Sequence, residues 1–288
     1  MRNTEKLANI CGKRQAVTVP GAPNALFARL IEDLGFEVVY VTGAGIANMQ
    51  LGVPDLGLTT ISEVSNTVAS ISDVVELPII VDADTGFGNA LNVIRTIKTL
   101  EKSGASGIQI EDQVFPKRCG HFGGKEVISK SEMVQKIHAA VDARNDQSLQ
   151  IIARTDAAAV EGLSSAIDRA QSYIDAGADI TFIEAPNSQM ELERIANELQ
   201  VPQIANIVYG GKTPDVGKAQ LAEFGFSLVL YANAILQAAL KASHEVLQSL
   251  HEKGSLAAVT EKLASFDDRQ AVVKKFDWDK LEKKYVFK

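Results

Sequence analysis

The feature that most constrains the fold of this chain is a regular alternation of short apolar segments with segments of helical periodicity. The apolar segments are rich in β-branched residues, which is typical of buried strands. Eight of them follow one another along the 288 residues and predict eight strands, at 16–19, 38–41, 78–81, 107–110, 149–153, 180–183, 203–207 and 228–231.

Segments with apolar residues at helical spacing lie between these strands. A strand followed by a helix and another strand specifies parallel pairing, with the helices packed outside the sheet. The pattern predicts helices at 25–34, 61–75, 90–103, 130–143, 163–176, 188–199 and 213–224.

Polar side chains follow nearly every predicted strand, and their distribution separates two parallel architectures. An open doubly wound sheet concentrates its site at one switch point, whereas a (β/α)8 barrel collects functional groups from the ends of many strands. No Gly-x-Gly-x-x-Gly fingerprint stands between a strand and a helix. We therefore predict an α/β protein with a (β/α)8 TIM-type barrel, forming a single domain over residues 1–288.

Composition narrows the classes of function. The chain is 46% hydrophobic and 23% charged, as expected of a soluble globular protein. Its formal net charge of −7 argues against nucleic-acid or anionic-membrane surfaces, which need clustered Lys and Arg. Cys11 and Cys119 are far apart, so neither a disulfide framework nor a zinc knuckle is indicated. Without a signal-peptide pattern or a long apolar span, we expect a cytoplasmic protein.

The C-terminal part, at about 239–288, is predicted to be a helical extension of the barrel. Helical patterns cover 239–251 and 255–264, and a polar tail containing Trp278 follows. The apolar residues here exceed what one outer helix needs. They either cap the barrel or pack against another subunit, and we favour an oligomer.

The segment 117–121, which reads Lys-Arg-Cys-Gly-His, carries the clearest chemical signal. Neighbouring cations and an imidazole lower the pKa of a thiol, which makes Cys119 a candidate acid, base or nucleophile. The alternative is a small buried cysteine in a solvated loop, which is the usual state of a lone cysteine. Gly120 beside His121 permits close approach of the backbone to a ligand.

Asp82 and Asp84 share one strand end and point the same way on a pleated strand. Together with Glu111 on the next strand they form an all-oxygen ligand set that suits Mg2+ or Mn2+. The alternative is that both aspartates cap backbone N–H groups of the loop 85–88. The glycines of that loop favour the metal site.

Arg154 and Lys117 supply positive charge at the same predicted edge. Arginine grips a carboxylate through two hydrogen bonds and lysine acts as a point charge, so with the metal they describe a pocket for a small carboxylic acid. Structural salt bridges are the alternative, but the coincidence with Glu184 and Asn206 disfavours it. Cys11 receives no role, and His138, His244 and His251 are interpreted as surface or packing residues.

These residues also carry a family resemblance over nearly the whole chain. The sequence resembles the isocitrate lyase and phosphoenolpyruvate mutase superfamily, and within it the short methylisocitrate lyase and dimethylmalate lyase branch. The matching segments, which occur in the family's order, are 51–57, 81–88, 110–113, 117–121, 153–157 and 161–163.

The resemblance implies a Mg2+-dependent carbon–carbon lyase that splits a 2-hydroxy acid into an oxo acid and a second carboxylate. It implies a homotetramer in which the last helix is exchanged between subunits. Cys119 would protonate the carbanion left after cleavage, with Lys117, His121 and Glu111 as further catalytic residues. Asp82 and Asp84 would bind the metal, with Glu111 acting partly through water. The implied substrate contacts are Thr42, Gly43, Ala44, Asp55, Gly120, Arg154, Glu184 and Asn206.

Two departures from the family pattern bear on the substrate. Methylisocitrate lyases carry Arg after the motif histidine and again shortly after the eighth strand, whereas this chain has Phe122 and Gln237. A buried carboxylate without a partner is costly. We therefore predict an alkyl-substituted malate, such as 2,3-dimethylmalate, rather than a tricarboxylate; 2-methylisocitrate cleavage to pyruvate and succinate is the alternative.

Three further readings remain open. Oxaloacetate hydrolases of the superfamily use a hydroxyl near the eighth strand, where this chain has Ala232, Asn233 and Ala234. Carboxyphosphonoenolpyruvate mutase is a second possibility, although mutases that cleave no carbon–carbon bond generally lack the Cys-Gly-His element. A barrel retained only for binding or assembly is the third, and the intact charged strand ends disfavour it.

Overall fold

The computed structural model describes residues 1–120 and 123–286, and a parallel β-barrel lies at its centre. Its strands are β1 (Val17–Ala22), β2 (Val39–Val41), β3 (Ile79–Asp82), β4 (Gly107–Glu111), β5 (Gln150–Thr155), β6 (Ile180–Ile183), β7 (Ile204–Asn206) and β8 (Leu228–Tyr231). All paired neighbours are parallel, in the order β6-β5-β4-β3-β2-β1-β8-β7. A parallel bridge between Thr181 and Gln203 joins the two edge strands and nearly closes the barrel. The predicted (β/α)8 fold is confirmed.

The helices surround this barrel and extend beyond it. They are α1 (Asn3–Gly12), α2 (Ala25–Asp33), α3 (Gly43–Ile46), α4 (Ile61–Ser72), α5 (Ala90–Lys102), α6 (Lys130–Ala143), α7 (Leu163–Asp175), α8 (Gln189–Glu198), α9 (Lys218–Phe224), α10 (Ala234–Lys253), α11 (Phe266–Val272) and α12 (Lys275–Tyr285). No helix in the described ranges is both long enough and apolar enough to cross a membrane.

Side-chain alternation along the strands divides the core into an interior and an outer layer. Tyr40, Ile80 and Phe182 pack inside the barrel, whereas their neighbours in sequence face the helices. Leu7 and Ile10 of α1 join the interior cluster and pack at the amino-terminal ends of the strands. That end of the barrel is therefore filled with apolar side chains, which leaves the carboxyl ends for polar groups.

Several predicted helix boundaries were wrong. The helix expected at 213–224 begins only at Lys218, because Pro214 disfavours helical geometry before it and Gly217 has φ of 81°. α1 was not predicted, because many of its residues are polar. Its few apolar side chains pack only against the interior cluster of the barrel.

The C-terminal prediction needs a larger correction. The segment 255–264 contains only a short 3-10 turn, Thr260–Lys262, since Gly254 ends α10 in the left-handed region. The tail that was described as polar forms α11 and α12, and the Lys275–Asp279 ion pair at 2.6 Å supports α12. Phe276 and Trp278 of this helix are exposed.

Candidate active site

Asp82 ends β3 at the carboxyl end of the barrel, and three hydrogen-bond donors hold its carboxylate. The backbone N–H groups of Gly43 and Asp84 donate to Oδ2 at 3.4 Å and to Oδ1 at 3.2 Å. The side-chain amide of Gln109 donates to Oδ1 at 3.2 Å, and the hydroxyl of Tyr40 donates to Gln109 Oε1 at 2.9 Å. This chain of buried groups fixes the orientation of Asp82.

Asp84 lies two residues further on and is paired with Lys117. Its backbone φ of 47° lies in the left-handed region, which is unusual for a residue with a side chain. The backbone at Asp84 is therefore strained. Lys117 Nζ lies 2.9 Å from Asp84 Oδ1 and 2.5 Å from Asp55 Oδ1. Burial disfavours the cation, but the surrounding carboxylates outweigh it and raise the pKa of Lys117 well above its usual value. Lys117 is therefore a fixed cation rather than a proton acceptor.

The carboxylates at this end of the barrel fit a divalent metal. A Cβ on Gly43 would stand 3.1 Å from Asp82 Oδ2 and 3.3 Å from Asp84 Oδ1, so glycine leaves open the space between the two carboxylates. Glu111 Oε1 is buried and receives no hydrogen bond from the described residues. Burial raises the pKa of Glu111, and it raises the pKa of Asp84 to about 6. The cations nearby, Arg154 and Lys117, oppose these shifts but do not cancel them.

The metal site is not preassembled. Within residues 1–120 and 123–286, no group of three or more His, Cys, Asp or Glu side chains is arranged to hold an ion. Lys117 is paired with Asp84, as described, and Arg154 Nε lies 3.2 Å from Glu111 Oε2. The oxygen donors themselves are of the type that a hard divalent cation takes.

Arg154, at the end of β5, contacts carboxylates on three sides. Besides Glu111, its guanidinium donates to Asp156 at 3.0 and 3.2 Å and lies 3.2 Å from Glu184. Burial opposes ionisation of Asp156, but Arg154 and Lys125 together lower its pKa. Arg154 is thus held rigidly, with the ring of Phe182 beneath it at 5.2 Å.

Cys119 lies on the long loop between β4 and α6. The base of this loop is a two-stranded bridge between Gln113 and Val127. Cys119 is half-buried and lines the cavity at the mouth of the barrel. The next residue, Gly120, packs so closely that a Cβ there would stand 2.4 Å from Arg154 Nη2. Two residues of the sequence prediction lie outside the described residues. They are His121, which is predicted to be catalytic, and Phe122, which stands where the resemblance implies an arginine.

The remaining predicted residues line the same small cavity at the mouth of the barrel. Asn206 donates to Glu184 Oε2 at 3.3 Å, and Thr42 Oγ1 donates to Asn233 Oδ1 at 3.4 Å. This inner cavity has a volume of about 30 Å3 and is lined by Tyr40, Thr42, Ala44, Asp55, Asp82, Lys117, Cys119, Gly120, Arg154, Phe182, Glu184, Asn206, Val208, Leu230, Ala232 and Asn233. The structure therefore brings the described members of the predicted set together.

A second, larger cavity adjoins the inner one. It has a volume of about 810 Å3 and is mostly apolar, with Met49, Leu236 and Leu240 among its lining residues. Five of the described residues line both cavities: Ala44, Asp55, Cys119, Val208 and Asn233. The outer cavity is the larger of the two, but the charged groups surround the inner one, so Cys119 stands where an apolar space meets a charged one.

Five residues of this site were missed as functional candidates: Tyr40, Gln109, Lys125, Asp156 and Asn233. Tyr40 and Gln109 occur within apolar strands, and the alternation of those strands places them inside the barrel. A polar side chain at an interior strand position was the available signal. Nothing local in sequence distinguishes Lys125 from a surface lysine.

Comparison with known proteins identifies the family of this chain. The family profile described as phosphoenolpyruvate phosphomutase matches residues 7–251. A 2-methylisocitrate lyase from Aeropyrum pernix is 45% identical over 96% of this chain and 89% of its own length. A 2,3-dimethylmalate lyase from Eubacterium barkeri is 41% identical over 93% of each chain.

Solved structures extend the similarity to the fold. A crystal structure of a 2,3-dimethylmalate lyase superposes with a TM-score of 0.93 at 30% identity, covering 99% of this chain and 96% of that one. Phosphonopyruvate hydrolase, solved with oxalate and Mg2+, superposes with a TM-score of 0.89 at 29% identity over the whole of both chains, 100% each. These findings confirm the family predicted from the sequence motifs. The chain belongs to the phosphoenolpyruvate mutase and isocitrate lyase superfamily, and it is a carbon–carbon lyase of that superfamily.

Proposed function

We propose that the protein is a Mg2+-dependent lyase that cleaves an alkyl-substituted malate, of the 2,3-dimethylmalate type, into an oxo acid such as pyruvate and a second carboxylate. The observation that carries the proposal is the position of Cys119 between the two cavities. The charged groups around the inner cavity suit the charge of the half of the substrate that becomes the oxo acid. The apolar outer cavity suits an alkyl-bearing half.

Asp82 and Asp84 would hold the metal, with Glu111 contributing in part through water. A Mg2+ ion bound there would supply charge stabilisation for the negative oxygens that develop on the substrate during cleavage. The choice of Mg2+ is supported by phosphonopyruvate hydrolase, a similar protein that was solved with oxalate and Mg2+. Mn2+ suits the same oxygen donors.

The chain's own residues orient the oxo-acid half. The backbone of residues 42–44 lies beside Asp82, to which the Gly43 N–H donates, and we assign to this segment a contact with the substrate carboxylate. Arg154 and Lys117 both line the inner cavity and supply fixed positive charge there. Glu184 and Asn206, which are hydrogen-bonded to each other, also line the cavity, and Asp55 holds Lys117 in place.

Bond cleavage then needs a proton to leave and a proton to arrive. The substrate hydroxyl loses its proton to the buried carboxylate cluster, for which Glu111 has a carboxylate oxygen without a hydrogen-bond donor among the described residues. The C2–C3 electron pair stays on C3 as the carbonyl forms at C2. Cys119 gives its thiol proton to that carbon. We assign His121 a catalytic role beside the thiol and Gly120 a contact with the substrate.

The choice of a dicarboxylate rests on the lining of the outer cavity. Gln237 lies on this cavity, at the position where the family resemblance implies an arginine in methylisocitrate lyases. Among the described residues, no Lys or Arg lines the outer cavity. A third substrate carboxylate placed there would lose its hydration without gaining a cation.

2-Methylisocitrate cleavage is the second candidate. The observation in its favour is the 45% identity to the Aeropyrum pernix 2-methylisocitrate lyase, compared with 41% to the Eubacterium barkeri 2,3-dimethylmalate lyase. Global identity weighs the whole barrel, however, whereas the substrate depends on a few lining residues. We therefore rank it below the dialkyl malate.

The test is oxo-acid release from a panel of 2-hydroxy di- and tricarboxylates, including 2,3-dimethylmalate, 2-methylisocitrate and oxaloacetate. We expect turnover of a substituted malate that EDTA abolishes, that Mg2+ restores and that Cys119→Ser loses. Faster cleavage of 2-methylisocitrate would instead assign the second candidate. Turnover that is indifferent to EDTA and to Cys119→Ser would contradict the lyase mechanism itself.

We also propose a homotetramer with exchange of the C-terminal helix. Large apolar side chains of α10 and α12, including Leu247, Phe276 and Trp278, are exposed in the single chain. Light scattering on the purified protein tests the assembly. A monomer that retains full activity would contradict it.

A further inference from the structure

The peptide that carries Cys119 is held on both sides by buried side chains that do not themselves face the inner cavity. On the amino-terminal side, Gln113 grips Arg118. Its Nε2 donates to Arg118 O at 2.8 Å, and its Oε1 accepts from Arg118 N at 2.9 Å. Gln113 is almost fully buried, with 1% of its surface exposed. The amide therefore satisfies both polar groups of one backbone residue and fixes its orientation.

On the carboxyl-terminal side, Lys125 grips Gly120. The Lys125 ammonium donates to Gly120 O at 2.5 Å and to Asp156 Oδ1 at 2.7 Å. Its side chain is buried, so these bonds form with little competition from water. Cys119 lies between the two gripped residues, one position from each.

Asp156 connects the Lys125 contact to the rigid barrel. Its backbone N–H donates to Asp112 Oδ1 at 2.9 Å, and its carboxylate also accepts a hydrogen bond from the guanidinium of Arg154. Asp112 in turn accepts hydrogen bonds from Thr155 at 2.7 Å and from Tyr173 at 2.8 Å. The Lys125 contact is thus anchored to the end of β5, whereas the base of the loop is held separately by the Gln113–Val127 bridge.

We propose that Gln113 and Lys125 are positioning residues that together set the place of the Cys119 thiol over the barrel mouth. Their role rests on the proposed function of Cys119 as proton donor. A proton donor displaced by about 1 Å loses roughly a hundredfold in rate, so a loop without these contacts has little activity even when every catalytic side chain is present.

The test uses Lys125→Met and Gln113→Leu, which keep much of each side chain's bulk but remove its hydrogen bonds. Lys130→Met is the matched control, because Lys130 forms an exposed ion pair with Asp168 at 2.7 Å a few residues along the chain. Hydrogen exchange of the peptide containing Cys119 is measured by mass spectrometry in all three variants and in the unmodified full-length protein. Steady-state kinetics are measured in parallel.

We expect exchange in that peptide to accelerate at least about fivefold in both variants and to be unchanged in the control. We expect kcat to fall at least about tenfold while KM changes by less than about threefold, since neither residue is assigned a substrate contact. Lys125→Arg, which keeps the charge, should recover part of the lost kcat.

Unchanged exchange in the two variants would overturn the proposal, as would faster exchange with an undiminished kcat. If Lys125→Met has lost its cooperative thermal unfolding, it is replaced by Lys125→Gln, for which the same outcomes apply. The exchange measurement needs no substrate. Failure of the proposed lyase function would therefore be visible as absence of turnover in the unmodified protein, separately from the behaviour of the loop.

Discussion

The ammonium group of Lys117 lies 2.9 Å from Oδ1 of Asp84, and both side chains are almost completely buried. The pair joins the loop that carries Cys119 to the end of β3, where the proposed metal ligands lie. Because Asp55 contacts the same ammonium at 2.5 Å, one cation compensates two carboxylates. We therefore expect the stability of the metal-free protein and its affinity for a metal to depend on this pair.

Removing the Lys117 cation should destabilise the protein in EDTA. We expect Lys117→Met to lower the free energy of unfolding by about 3 kcal/mol, the low end for breaking a buried pair, because protonation of Asp84 limits the loss. Urea unfolding measures this change. Lys130→Met, which removes only an exposed pair, should cost less than about 1 kcal/mol. Equal stability of both variants would contradict the role assigned to Lys117.

Metal affinity should depend on pH through Asp84. Burial raises the pKa of this carboxyl to about 6 in the metal-free protein, with Lys117 opposing the shift. A ligand must lose its proton before it binds, so affinity falls as pH drops through this value and is retained above it. We expect the Kd for Mn2+ from calorimetry to rise about tenfold per pH unit below that value. A Kd that stays constant from about pH 7 to about pH 5 would disagree.

The two thiols should differ sharply in reactivity. Burial raises the pKa of Cys11 to about 12, whereas Cys119 is half-buried at the cavity boundary. Since the thiolate is the reactive form, iodoacetamide at about pH 8 should modify one thiol in the native protein and both after unfolding. Mass spectrometry identifies the site. Cys119→Ser should leave the native protein unmodified, and rapid labelling of Cys11 would contradict the packing of α1 against the barrel.

A side chain at position 120 should interfere with the site. A Cβ on Gly120 would stand 2.4 Å from Arg154 Nη2 and 2.6 Å from Glu184 Cγ. We expect Gly120→Ala to lower kcat/KM at least about a hundredfold, because the loop or the arginine must shift. Gly123→Ala is the matched control, since a Cβ there meets nothing within 4 Å. Comparable losses in both variants would indicate a general effect on the loop.

Substrate preference should respond to position 237. We expect Gln237→Arg to improve kcat/KM for 2-methylisocitrate about tenfold relative to 2,3-dimethylmalate, because a charge-assisted hydrogen bond contributes roughly 1.5 kcal/mol. Gln237→Leu, which adds no charge, should leave the ratio nearly unchanged. If the unmodified protein already prefers 2-methylisocitrate, the assignment of a dicarboxylate substrate is wrong.

The barrel could be predicted because its signals are local and repeated. The predicted strands at 180–183 and 228–231 coincide with β6 and β8, and the other six overlap their observed counterparts. Apolar β-branched segments between helical patterns leave few other ways to bury their surfaces. The C-terminal segment was less predictable, since its exposed apolar side chains do not pack against the barrel and give no periodic core signal.

The sequence by itself determined the eight-fold strand–helix repeat, the carboxylates at the strand ends and the motif around Cys119, because chain order alone aligns the carboxyl ends of parallel strands. Only the tertiary structure decided which charges are paired. Lys125 reaches Asp156 across 31 positions, and Arg154 gathers Glu111, Asp156 and Glu184 from three strand ends. Such contacts depend on the pairing of neighbouring strands and on burial, which bring these side chains within hydrogen-bond range and which no local pattern encodes.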